Sequence, residues 1–144
     1  GAAPPPPPAG PHPKEAQYLQ AIRVLLGTTD DGQRRAAEAW LDEFQQDRDA
    51  WEVTDRLLSS PEAPPEARLF SSQTLRLKVQ RDFDELPAHV GLGVRDKLLQ
   101  LLLLHTEAGA APVRRQLCLA VAALAAHLPA AGWEGQGPLM WLAA

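Results

Sequence analysis

At 144 residues and 45% apolar content, the chain is long enough for one compact domain or about three to four helical hairpins. Fourteen basic against eighteen acidic residues give a formal net charge of -4, which removes the simplest case for a nucleic-acid binder, a clustered basic surface. The single cysteine, Cys118, can form no internal disulfide, and its apolar run LCLAVAALAA predicts a buried thiol, as suits a reducing compartment. His12, His89, His105 and His127 stand singly, whereas a zinc site needs about four convergent ligands, so neither metal nor cofactor is expected. No signal-peptide pattern opens the chain. The apolar run LLQLLLLH stops after about eight residues, short of the roughly 20 that span a bilayer, so no membrane insertion is expected. The chain opens on Gly1 and carries its only methionine at Met140, so a fragment, a processed chain or an incomplete gene model is expected.

Residues 1 to 13, GAAPPPPPAGPHP, offer no side chains for a core and place proline wherever a helix would form. This predicts a disordered or polyproline II tail, and its five consecutive prolines are also of the kind that dock on aromatic grooves of the SH3 or WW type. Helical spacing begins near Lys14. Tyr18, Ile22, Leu25 and Leu26 follow it, and Gly27 is placed to cap the end. After a short turn at Asp30, Asp31 and Gly32, a second helix runs from about Gln33 to Gln46, with Ala36, Ala37, Trp40, Leu41 and Phe44 on its apolar side. A third begins near Asp49, which is placed to cap it, carries Trp51, Val53, Leu57 and Leu58, and stops at Ser59, Ser60 and Pro61.

Pro64 and Pro65 suit the entry of a long fourth helix, from about Pro65 to Asp84. At about 100° per residue, Ser72, Leu75, Val79 and Phe83 fall on one side, while Phe70, Thr74 and Leu77 fall on nearly the opposite side. Two buried faces are therefore expected, as for a helix stacked between its hairpin partner and adjacent hairpins. Pro87 breaks the pattern. A fifth helix spans roughly Gly91 to Glu107 with Val94, Leu98, Leu101 and Leu102 inward, and Gly109 and Pro112 mark a turn. A sixth, from about Ala111 to Leu128, presents Val113, Leu117, Val121, Leu124 and Leu128, with alanines that permit close helix contact. Pro129 and Gly132 end it, and PLMWLAA reads as the opening of a further helix.

No segment alternates with a period of two, so no strands are expected and the chain is all-α. The helices pair into hairpins at about residues 14–47, 49–84 and 91–128, with a truncated fourth from about 133. First-helix starts near 14, 49 and 91 give a period of about 35 to 42, the signature of HEAT-type antiparallel units in a right-handed α-solenoid. There is no phosphate-cradling Gly-rich loop, no GxSxG elbow, and no Ser or Cys with a recognisable base partner, so no enzyme chemistry is assigned. Asp82, Asp84 and Glu85 lie where a helix ends and read as solvated or capping groups, and Trp40, Phe44 and Trp51 read as packing residues.

Periodicity stops at a helical solenoid, and particular words carry the reading further. AW at Ala50 and Trp51, QTL at Gln73 to Leu75, DFDELP at Asp82 to Pro87 and VRDKLL at Val94 to Leu99 occur in one order. Together they resemble the amino-terminal domain of the importin-β family of nuclear transport receptors, in particular its transportin-SR and importin-13-like branch. The resemblance covers roughly Ala36 to Trp133 and leaves the polyproline tail outside it.

The resemblance implies a HEAT-repeat receptor that shuttles between nucleus and cytoplasm. Its first repeats would bind the GTP form of the small GTPase Ran, and later repeats would carry protein cargo, serine-arginine-rich splicing factors in that branch, past the nucleoporins. It implies, too, that the second helices of the early repeats line the surface where Ran lies. On the fourth helix Gln73, Arg76 and Gln80 share a polar sector between the two apolar faces and are the first candidates for Ran contact. Glu43 and Gln46 on the second helix, and Arg115 and Gln116 on the sixth, follow on topology. Two alternatives stand beside this reading: an exportin-type receptor of the same family, and a helical adaptor of the VHS or ENTH trafficking type. The second would bind acidic peptides or lipid headgroups through basic clusters, which this sequence lacks.

Overall fold

The computed structural model describes residues 12–127. The polyproline run, Leu128 and the expected further helix lie outside the described residues. Six α-helices follow in order: α1 Glu15–Gly27, α2 Asp31–Gln45, α3 Asp49–Ser59, α4 Pro65–Asp82, α5 Gly91–Leu104 and α6 Ala111–His127. Single 3-10 turns occupy Phe83–Glu85, Ala88–Val90 and Ala108–Ala110, and no strand occurs among the described residues.

Local chemistry sets the helix ends, in several places differently from the sequence reading. Gly27 is the last residue of α1 and not its cap. The helix closes at extended Thr28, whose N–H reaches the Val24 carbonyl at 3.0 Å. Asp30 is an N-cap and not a turn residue. Its Oδ1 accepts the Gln33 N–H at 2.8 Å, so α2 starts two residues early and takes in Gly32. Asp49 does not cap α3. The Asp47 carboxylate accepts the Asp49 N–H at 2.9 Å and turns the chain there. Extended Pro64 followed by Pro65 starts α4 as expected. α5 stops at Leu104, three residues short of the expected end, because His105 leaves helical geometry and its Nε2–H donates to the Leu58 carbonyl at 2.7 Å. A carbonyl can only accept, and that fixes which nitrogen carries the proton.

The helices pair as antiparallel hairpins, α1 with α2, α3 with α4 and α5 with α6, and the second helices lie side by side in a layer with α4 between α2 and α6. This is a HEAT-like all-α solenoid. One core cluster joins Tyr18, Ile22, Leu41, Phe44, Val53 and Leu57, with Phe70 of α4 packed on it. The other joins Leu75 and Val79 of α4 with Leu98, Leu101, Leu117, Val121 and Leu124. The two buried faces of α4 are thus real, and each serves a different core. Fully burying one leucine or valine stabilises the fold by about 1.5–3 kcal/mol, so α4 contributes to both hydrophobic units at once.

Cys118 is exposed, against the expectation of a buried thiol. α6 turns Val113, Leu117, Ala120, Val121 and Leu124 inward, and Cys118, about 100° round from Leu117, falls with Leu119 on the outer face. An apolar run marks a buried helix without saying which of its residues face in. Leu117 is fully buried and Leu103 is 76% exposed, so the two leucines should respond differently to truncation. Leu117→Ala is expected to lower stability by about 2–5 kcal/mol in urea unfolding, and Leu103→Gln to change it by less than about 0.5 kcal/mol.

Candidate functional site

The seven polar residues singled out in the sequence fall on the second-helix layer, in three groups. Arg76 and Gln80 of α4 meet Gln116 of α6. The Arg76 Nε–H donates to Gln116 Oε1 at 2.5 Å, and its Nη1 donates to Gln80 Oε1 at 3.1 Å. The guanidinium is therefore held by two amides, Gln80 on its own helix and Gln116 across the seam between hairpins two and three, which limits the side-chain entropy it would lose on meeting a partner. Gln73 lies one turn before Arg76 and is half-buried, and Arg115, beside Gln116, is exposed. Glu43 and Gln46 stand apart at the end of α2, both exposed, with the Gln46 N–H donating to the Glu43 carbonyl at 3.1 Å.

Beneath this surface lies a feature that the sequence reading missed. Lys78, on α4 between Arg76 and Gln80, has no solvent-exposed side-chain surface. Its ammonium reaches Asp82 Oδ2 and both Glu85 oxygens, each at 3.1 Å, and lies 5.7 Å from the centre of the Trp51 ring. Trp51 Nε1–H donates to Glu85 Oε2 at 3.2 Å, and Arg48 donates to the Glu85 carbonyl at 3.0 Å. Burying an unpaired ammonium is prohibitively unfavourable, so the three N–H donors must all be met inside the fold. Asp82 reaches Lys78 because four residues separate them on one helical face. Glu85 reaches it because α4 ends at Asp82 and the 3-10 turn folds Glu85 back over the helix end.

The expectation that Asp82 and Glu85 are solvated or capping groups is therefore corrected. Their side chains are only 24% and 25% exposed, and they neutralise Lys78. The signal was present in the sequence as a lysine four residues before one acid and seven before another, straddling the helix end. In the same way the QTL word is structural at its centre. The Thr74 hydroxyl bonds the Phe70 carbonyl at 3.0 Å, meets the Tyr18 hydroxyl at 3.2 Å and receives Gln45 Nε2 at 3.4 Å, tying α4 to α1 and α2. Burial pushes the Tyr18 phenol above its ordinary pKa.

The α1 and α2–α3 ends are joined by charge. The Lys14 ammonium pairs with Asp47 and, at 2.9 Å, with Asp49. The hydrogen bond from Lys14 is the main cause that holds the Asp47 carboxyl below its usual range.

Replacing Lys78 by methionine would leave two facing carboxylates with no cation between them. We expect Lys78→Met to cost about 3–5 kcal/mol in urea unfolding, with part of the loss regained in Lys78→Met/Glu85→Gln. At Asp47 the folded-state pKa lies below the unfolded one. Its contribution to stability is therefore complete above the ordinary carboxylate range and is lost as pH falls through the lowered folded value. Asp47→Asn should flatten that acid limb of the stability profile.

The Importin-beta N-terminal domain family matches residues 37–103. Transportin MOS14 of Arabidopsis thaliana is 45% identical over 123 residues, which is 85% of this chain and 13% of that protein. An uncharacterized protein of Schizosaccharomyces pombe is 36% identical over 110 residues, 76% of this chain and 11% of its own length. The mRNA transport regulator MTR10 of Saccharomyces cerevisiae is 32% identical over 90 residues, 60% of this chain and 9% of its own length. The chain thus spans a small fraction of the relatives it matches. Helical hairpins in HEAT-like order and the words AW, QTL, DFDELP and VRDKLL, all four within the matched segment and each anchored in a buried contact or ion pair, agree with these matches: the chain carries the amino-terminal domain of the importin-β karyopherin family.

Proposed function

We propose that this chain is the amino-terminal part of a nuclear transport receptor that binds Ran-GTP and imports protein cargo, shuttling between nucleus and cytoplasm. The similarity to Transportin MOS14 over most of the chain, with the importin-β domain inside it, is the observation that carries this reading. The receptor works by binding and release, without a catalytic step. Cargo would be held by repeats beyond this segment. Serine-arginine-rich splicing factors are the class suggested by the likeness to the transportin-SR branch, with nucleoporins as the partners met in transit.

Within the segment, the second-helix layer is the surface proposed to meet Ran. Arg76, positioned by Gln80 and Gln116, is its central cation, and Gln73 and Arg115 extend the same face. Glu43 and Gln46 would form a second contact at the end of α2. A pre-positioned guanidinium can bind a carboxylate in two-point fashion, which gives specificity as well as attraction.

The test is retention of Ran by the full-length receptor. Ran loaded with a non-hydrolysable GTP analogue should be retained and the GDP form lost. Arg76→Glu should weaken retention by roughly tenfold or more through like-charge juxtaposition. Equal retention of the two nucleotide forms would overturn the reading. GTP-dependent co-retention of Ran and cargo, in place of cargo release, would assign the receptor to the export branch.

A further inference from the structure

The connection between α3 and α4 carries the dipeptide Ser60-Pro61, which takes no part in either core cluster or in the polar seam. Proline holds the residue before it extended, and Ser60 has φ -90° and ψ 122° there. Its side chain is partly exposed, and its hydroxyl oxygen accepts the Glu62 N–H at a long 3.3 Å. The turn borders a cavity of about 400 Å³ at the ends of hairpins two and three, lined among others by Ser59, Ser60, Pro61, Arg68, His105 and Glu107. Arg68, on α4, brings a guanidinium to the turn, and its Nη2 donates to the carbonyls of Ser60, at 3.3 Å, and Pro61. The rest of that guanidinium is underused. Its Nη1 lies 4.0 Å from Glu107 Oε1, beyond hydrogen-bond reach, and its buried Nε–H has no partner. We infer that Ser60 is a phosphorylation site for a proline-directed kinase, and that its phosphate docks on Arg68 in place of Glu107.

In the transfer, the Ser60 hydroxyl attacks the γ-phosphorus of ATP. A bond forms between Oγ and phosphorus, the bond from that phosphorus to the β-phosphate oxygen breaks, ADP leaves, and the hydroxyl proton passes to the kinase's catalytic aspartate. Phosphoserine brings about two negative charges and several strong acceptor oxygens to a residue whose own carbonyl already touches the guanidinium. Hydrogen bonds between phosphate and arginine are charge-assisted and roughly twice as strong as neutral ones. The C-terminus of α3 opposes a negative charge at its cap, but that effect is screened by salt and fades within one turn, so the direct pair with Arg68 prevails. Neighbouring acids offer little resistance: Asp55 is paired with Lys97 at 3.0 Å, and the Glu107 side chain is 57% exposed and can turn into water. Arg114, held on the carbonyls of His105 and Glu107, adds a second cation to the same pair of turns. Ser59 is the poorer target, because it closes the last turn of α3, gives its hydroxyl to Asp55 at 3.2 Å and is followed by Ser60 in place of proline. Docking ties the α3–α4 turn to α4 and frees Glu107 of the α5–α6 turn, so the modification alters the contact between hairpins two and three without touching the polar seam.

The test treats the full-length receptor with a proline-directed serine/threonine kinase and ATP, and locates the modified residue by fragmentation mass spectrometry. Phosphate is expected on Ser60, and Pro61→Ala should abolish its incorporation. Docking is read from removal by a phosphatase. Phosphate on the folded protein should leave about tenfold more slowly than from a phosphopeptide of residues 55–66, since only the undocked fraction is open to attack, and Arg68→Gln should remove most of that protection. Because Arg68→Gln also gives up the bonds to the Ser60 and Pro61 carbonyls and can loosen the turn, Glu107→Gln serves as the second variant. Taking away the competing carboxylate should slow removal further, a gain that a damaged fold does not produce. Phosphate on Ser59, or on neither serine, would overturn the site. Equal rates of removal from the unsubstituted protein and from the Arg68→Gln and Glu107→Gln variants would overturn the docking.

Discussion

The arrangement of this segment depends on keeping one ammonium group satisfied without water. Lys78 is enclosed by Asp82, Glu85 and Trp51, so α3, α4 and the turn after α4 must hold one relative position for the fold to be stable. That position fixes more than a salt bridge. It sets where α4 ends, turns the chain at Leu86 and Pro87, and carries it across to α5. It also orients the two neighbours of Lys78 on the helix. Arg76 and Gln80 stand on the side facing α6, where Gln116 receives the guanidinium. The polar seam and the buried cation are two sides of one helical stretch.

α4 has to satisfy more partners than any other helix here. One face closes the first core through Phe70 and the Thr74 hydroxyl, and another closes the second core through Leu75 and Val79. A helix used in this way has little free surface, and what remains is a narrow strip. This explains how conspicuous aromatic and aliphatic words can identify the family while the proposed working surface consists of a few intervening polar residues.

Much of the fold was legible because helical periodicity is strong over α2 and α3, and proline at Pro64, Pro65 and Pro87 punctuates without ambiguity. The two-faced burial of α4 could be read from Ser72, Leu75 and Val79 against Phe70 and Thr74. Termini were less legible: Asp30, Asp47 and Asp49 are all plausible caps, and the choice among them follows from backbone geometry that composition does not encode. Cys118 was misplaced because residues in an alanine-rich helix differ little in hydropathy, so orientation is set by packing against α4 and α5. The roles of Asp82 and Glu85 escaped notice because burial of their partner, Lys78, arises only when Trp51 of the preceding helix closes over it. Of the candidate surface, spacing was enough to group Arg76 with Gln80, but the contact with Gln116, 40 residues away, required the tertiary fold.

We propose that the second-helix layer of this segment meets Ran in its GTP form. Amide hydrogen exchange of the full-length receptor, with and without Ran-GTP, tests it directly. Slowed exchange is expected to concentrate in α2, α4 and α6, with α1, α3 and α5 little changed. Protection confined to the first helices, or none within these residues, would contradict it.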